Sequence, residues 1–128
     1  MKKLYNQKSK DLLVKKLESE DFNRTTCSFY KYVTIVDPIT FRDKIYEEFD
    51  NLEILGRVYI AEEGINAQIS VPDKNWGLFL KLISSIKLLY DVDIKTAIND
   101  GISFYKLVVK VKKEIVAYNI PKNTFNMD

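Results

Sequence analysis

At 128 residues the chain has the length of one domain with one hydrophobic core. Its 46% hydrophobic and 30% charged residues are the balance of a folded globular protein, and a net charge of +2 is too small to announce a polyanion partner by itself. With one cysteine, Cys27, and no histidine, the chain excludes a disulfide framework, His-dependent zinc sites and Ser/Cys–His catalysis within itself.

No metal-ligating constellation is read. The opening MKKLYNQKSKDLL lacks the continuous apolar core of a secretion signal, and no stretch approaches the ~18 apolar residues that span a bilayer. The expected setting is cytoplasmic, with no membrane partner.

Ser9 is an N-cap for a helix expected over residues 10–19, with Leu12, Leu13, Val14 and Leu17 as its apolar stripe. DFNRTT breaks that pattern, and SFYKYVTIV, residues 28–36, reads as a strand rich in aromatic and β-branched residues. On this reading Cys27 is a small, reduced, partly buried side chain at the strand's entrance. Asp37-Pro38 is a capping carboxylate followed by an N1 proline, and Phe41, Ile45 and Phe49 then mark one buried face of a helix over 38–50.

LEILGRVYIA and INAQISV read as a second and third strand, joined through Glu62-Glu63-Gly64. Pro72-Asp73 starts another helix, in which Trp76, Phe79, Leu80, Ile83 and Ile86 recur at core spacing; Trp76 is read as core rather than as a stacking platform. DVDIKTAI is a short extra edge strand, Asn99-Asp100-Gly101 a turn, and ISFYKLVVKVKKEIV, residues 102–116, the last strand. The order after the first helix is β-α-β-β-α-β, which predicts an α+β, ferredoxin-like antiparallel sheet with two helices on one face.

Alternation assigns the faces. Ile65, Ala67, Ile69 and Val71 point one way, while Asn66, Gln68 and Ser70 point the other. Extended to the neighbouring strands, the uncovered face collects Arg57, Tyr59, Asn66, Gln68, Lys106, Lys110 and Lys112. Cations, amides and a tyrosine suit a phosphate backbone and unpaired bases; equally, charges keep an open sheet soluble and blunt its edges. Apart from Tyr59, the aromatic pair that RNA-recognition sheets carry on their central strands is not seen. Glu62 and Glu63 share one substrate only from a turn, and a hairpin tip supplies little burial to raise a carboxyl pKa, so they are read as a contact and not as an acid/base pair.

SFYKYVTIVDPITFRDKIYEEF, LGRVYIAEEGINAQISVP and FYKLVVKVKKEIVA together resemble, in order and spacing, the N-terminal domain of the rhodanese-like tRNA uridine hydroxylases, formerly classed as rhodanese-related sulfurtransferases. The resemblance implies an acylphosphatase-like, ferredoxin-type domain over residues 28–117, preceded by an N-terminal helix and lead-in over 1–27 and followed by the start of a linker over 118–128. It implies tRNA as partner, a rhodanese domain of the same parent chain carrying the active cysteine, and molecular oxygen as co-substrate, with no cofactor in this portion. Cys27, placed before the first strand, does not match the rhodanese cysteine, and without a rhodanese domain no catalytic residue is assigned here. The junction IVDPITFRDK lacks the glycine-rich, arginine-bearing loop of acylphosphatases, and Arg42 falls inside the helix, which argues against that activity.

Two functions follow from the resemblance: a module that handles tRNA through the open face, or a structural domain that docks on the rhodanese domain without touching RNA. In either case Glu62, Glu63 and Gly64 are candidates for an interdomain or substrate contact.

Overall fold

The computed structural model describes residues 7–97 and 104–115. Helix α1 (Gln7–Glu18) precedes strand β1 (Arg24–Tyr32), helix α2 (Pro38–Asn51), and strands β2 (Leu55–Ala61) and β3 (Gly64–Pro72). A 3₁₀ turn (Asp73–Asn75) then leads into helix α3 (Trp76–Ser85), strand β4 (Lys95–Thr96) and strand β5 (Leu107–Val111). α1 begins at Gln7, so Ser9 lies within its first turn and is not its cap. The turn expected at Asn99–Gly101, the first residues of the expected last strand, and the tail from 116 onward lie outside the described residues.

The sheet order is β4-β1-β3-β2-β5. β3 occupies the centre, pairing antiparallel with β1 from Arg24↔Pro72 to Tyr32↔Gly64 and with β2 from Leu55↔Ser70 to Ala61↔Gly64. β4 pairs antiparallel with β1, and β5 lies parallel to β2. The architecture is α+β and ferredoxin-like, with two differences from the sequence reading. The fourth strand of the β-α-β-β-α-β unit is the short Lys95–Thr96 segment expected only as an extra edge. The strand expected to fill that place is β5, which closes the opposite edge and makes the sheet mixed. Strand propensity identifies both segments but carries no information about which edge each one joins.

β1 also starts four residues earlier than the expected residue 28, because its register with β3 runs back to Arg24. Cys27 is therefore inside the strand and fully buried, not at its entrance, and burial pushes its thiol pKa up to about 12.

The helices cover one face. Ile45 and Phe49 of α2 and Phe79 and Ile83 of α3 pack with Cys27, Phe29, Val58, Ile60, Ile65, Ala67, Ile69, Val71 and Val109 from the strands. Phe49 and Phe79 meet edge-on with centroids 6.0 Å apart, and Trp76 packs at 5.3 Å from Phe79 at the rim of this core. Leu80, expected in the core, is 40% exposed because α3 turns only its Phe79–Ile83 stripe inward.

Asp37 caps α2 as its sequence demands: its carboxylate accepts from the Thr40 hydroxyl at 2.8 Å and from the Thr40 N–H at 3.2 Å. These bonds hold its pKa below the usual carboxylate range. The cap is therefore fully formed above the ordinary aspartate pKa and is lost as pH falls through the lowered one. At the other end of α2, Glu53 takes φ 62°, a left-handed conformation usually given to glycine, while Ile54 N–H returns to Phe49 C=O at 3.0 Å.

Glycine is demanded at two strand positions. Gly64 has φ +153°, and a Cβ there would lie 2.1 Å from the Lys31 carbonyl oxygen. Gly56 has φ +132° and leaves a Cβ only 2.3 Å from the Gln68 carbonyl oxygen. By contrast Gly77, in α3, has nothing within 4 Å of an added Cβ. Gly64→Ala is expected to destabilise the domain by about 2 kcal/mol or more, while Gly77→Ala should be neutral or stabilise by roughly 0.5 kcal/mol; urea unfolding compares the two. The Cys27 thiol should resist a disulfide-exchange reagent in native buffer and react fully once urea unfolds the chain.

Candidate functional site

Alternation from the buried residues fixes what the face of the sheet opposite α2 and α3 carries. β1 contributes Thr26, Ser28, Tyr30 and Tyr32; β3 contributes Asn66, Gln68 and Ser70; β2 contributes Arg57 and Tyr59; β5 contributes Val108 and Lys110. In register these form rows across the sheet: Tyr30–Asn66–Tyr59–Lys110, and beside it Ser28–Gln68–Arg57–Val108. Arg57, Tyr59, Asn66 and Gln68, four of the residues selected from sequence, line one hollow of about 300 Å³.

The remaining candidates fall around that hollow unequally. Lys110 stands opposite Tyr59 in the ladder, and the Lys112 ammonium lies 4.8 Å from the Tyr59 ring centroid. Lys106 lines a separate concavity of about 500 Å³ at the α1 end, shared with Leu13, Leu17, Arg24 and Tyr105, and its ammonium lies 5.8 Å from the Tyr105 ring. The Arg57 guanidinium lies 5.4 Å from the Phe104 ring. Asn66, expected to be exposed, is only 5% accessible, and Ser70 only 4%. On the central strand, Asn66 is flanked across both ladders by tyrosines, Tyr30 and Tyr59.

The described strands carry Arg24, Lys31, Arg57, Lys95 and Lys110 and no carboxylate at all, whereas α2 holds Asp43, Glu47, Glu48 and Asp50 against Arg42 and Lys44. Two of the cations are committed elsewhere. Arg24 makes a paired contact with Glu20 at 2.8 and 2.9 Å, and Lys31 bonds Asp91, holding that carboxyl below its usual pKa range. Arg57 and Lys110 remain on the open face, with Lys95 at the β4 edge, where it also meets Asp93 at 3.5 Å. A chain with nearly balanced charge thus places cations without carboxylates on its described strands and an excess of acids on α2.

Tyr30 and Tyr32 are not among the sequence candidates, and on β1, beside the central strand, they place two aromatics on this face in addition to Tyr59. They are 38% and 57% exposed, with ring centroids 6.1 Å apart and planes inclined at 55°. The signal was present in CSFYKY: once Cys27 and Phe29 are placed inward, Tyr30 and Tyr32 must point outward.

The AEEGIN segment is a brace within the domain. Glu62 and Glu63 form a two-residue hairpin tip between paired Ala61 and Gly64. Their carbonyls accept from Ile35 N–H at 2.9 Å and Val33 N–H at 3.0 Å, and the Glu63 carboxylate accepts from Ile115 N–H at 2.9 Å. Arg42 is likewise occupied: its Nε donates to the Val109 carbonyl at 2.7 Å, and its guanidinium reaches Asp43 at 3.0 Å. Among the described residues no three His, Cys, Asp or Glu side chains gather to hold a metal ion, and no helix is long and apolar enough to cross a membrane.

The family model for the UPF0176 acylphosphatase-like domain matches residues 24–115, from the first residue of β1 to the Ile115 that Glu63 holds. The chain belongs to this family. Similar full-length proteins named tRNA uridine(34) hydroxylase come from Leptospira interrogans, at 44% identity over 97% of this chain and 34% of the relative, and from Pectobacterium carotovorum, at 45% over 96% and 35%. The one from Escherichia fergusonii matches at 45% over 96% and 36%. The chain thus spans about a third of the length of these curated relatives.

Among solved structures, the BLUF protein BlrB in its dark state superposes with TM-score 0.50 at 14% identity, covering 70% of this chain and 74% of that one. Full-length HypF superposes with TM-score 0.51 at 15%, covering 73% and 13%. At such identities these likenesses speak for the fold alone.

Within the UPF0176 domain, the Glu63 brace has a measurable share in stability. Glu63→Ala should lower the unfolding free energy by about 1–2 kcal/mol by stripping the Ile115 N–H of its acceptor, while Glu62→Ala, at an exposed side chain, should stay within about 0.5 kcal/mol; urea titrations measure both.

Proposed function

We propose that this domain is the tRNA-handling portion of a longer protein that hydroxylates the wobble uridine of tRNA. In this reading the oxygen-dependent chemistry belongs to a rhodanese domain of the parent chain, and the UPF0176 domain contributes the open face of its sheet. Arg57, Lys110 and Lys112 supply positive charge to phosphates, with Lys106 adding to it from the neighbouring concavity, and Tyr59 and Gln68 stand where a base or ribose would lie, with Asn66 buried between the tyrosines of its row. The relatives' name supplies the substrate class.

The observation that carries the reading is the uneven placement of charge. The described strands hold cations and no carboxylate, and those left on the open face border the hollow lined by Arg57, Tyr59, Asn66 and Gln68. A polyanion meets no like charge from these strands, and it gains entropy by releasing counterions for each phosphate neutralised.

The test is anisotropy of fluorescein-labelled tRNA titrated with the chain across a salt series. Arg57→Gln combined with Lys110→Gln should weaken binding about tenfold at moderate salt and reduce the salt slope by about 1 for each phosphate no longer neutralised. Unchanged affinity in the double variant, or no binding by the unaltered chain, would overturn the reading in favour of a domain that only docks on its neighbour.

A further inference from the structure

The geometry points to Tyr30 and Tyr32 of β1 as a two-base stacking platform, which makes the open face a reader of unpaired RNA and not merely a cationic surface. This inference rests on the open face being an RNA surface, and it adds which state of the RNA is held and by which strand.

Three observations carry it. The two rings stand two residues apart on the same side of one strand, so their spacing follows the strand's own rise of about 6.7 Å per residue pair. Their centroid separation of 6.1 Å and 55° inclination show that they are not stacked flat on each other, which leaves ring surface turned to solvent. Tyr32 lies opposite Gly64 in the ladder, and the residue is 57% exposed, with Tyr30 at 38%. Large aromatics in so small a domain are usually buried where a core is available; here Phe29, on the other side of the same strand, is 4% exposed while the two tyrosines are displayed.

The chemistry around the rings selects a nucleotide over an apolar peptide. Tyr30 begins the row that continues through Asn66 and Tyr59 to Lys110, with the Lys112 ammonium beside Tyr59. A base resting on Tyr30 would therefore run its backbone toward cations across the sheet. Aromatic faces accept any base because every base has a π-surface, but only a base free of its duplex can offer that surface. Duplex RNA hides its base faces and engages only the cations.

That difference supplies the test. The chain is titrated with a labelled single-stranded oligouridylate and, separately, with a labelled blunt RNA duplex. Tyr30→Leu with Tyr32→Leu keeps apolar bulk at exposed positions, and Tyr30→Phe with Tyr32→Phe keeps the rings. The leucine pair should weaken single-strand binding about tenfold or more and leave duplex binding within about twofold, while the phenylalanine pair binds both RNAs as the unaltered chain does. Equal loss on both RNAs, or no loss on either, would overturn the platform while leaving the cationic reading of the face intact. If the unaltered chain binds neither RNA, the reading of the face as an RNA surface fails, and the platform fails with it. Far-ultraviolet circular dichroism of the leucine pair establishes that any loss is not one of folding.

Discussion

The close passage of β3 between β1 and β2 is the constraint on which the domain depends. Gly64 and Gly56 sit where the neighbouring strands leave no room for a Cβ, with carbonyl oxygens at 2.1 and 2.3 Å from its ideal position. Because Gly64 lets β1 come in this close, β1 pairs with β3 along its whole length. The chain leaving β1 is then caught by the hairpin tip, whose Glu62 and Glu63 carbonyls receive the Ile35 and Val33 N–H groups. That capture delivers the chain to the Asp37 cap and aims α2 across the sheet. The same tip holds Ile115 through the Glu63 carboxylate, so one two-residue turn ties together the exits of β1 and β5.

A central strand held this tightly also divides the molecule into two chemistries. Its inward residues, Ile65, Ala67, Ile69 and Val71, are fully buried beneath α2 and α3. Its outward residues are amides and a hydroxyl, and Asn66 and Ser70 are buried as well. No buried side-chain nitrogen or oxygen among the described residues lacks a hydrogen-bond partner, so the polar centre of the open face is a satisfied network and not a collection of loose groups. Around it the charges are unevenly placed: the described strands bear cations and no carboxylate, and α2 bears an excess of acids. Placement of this kind gives a nearly neutral chain a directional field, which a composition sum conceals.

Much of this was legible without coordinates. The Asp37-Pro38 helix start, the strand at INAQISV, the hairpin at Glu62-Glu63 and the grouping of Arg57, Tyr59, Asn66 and Gln68 all rest on local rules, and all four appear in the fold. The failures have a common cause. The start of β1, the burial of Cys27, the edge taken by β5 and the burial of Asn66 depend on which strand lies alongside, and partners distant in sequence leave no local imprint. Tyr30 and Tyr32 fall between these cases, because their outward direction follows from Phe29 being inward, yet only the register shows that Tyr32 faces a glycine.

The sequence alone therefore determined most of the elements and which residues share a side of each strand, since these follow from side-chain period, capping chemistry and glycine's freedom within a few residues. Tertiary structure alone decided strand order, the parallel placement of β5, the brace from Glu63 to Ile115 and the row from Tyr30 to Lys110. Each of these joins residues tens of positions apart, and the free energy that selects them comes from burial and pairing across the assembled sheet, which no single segment contains.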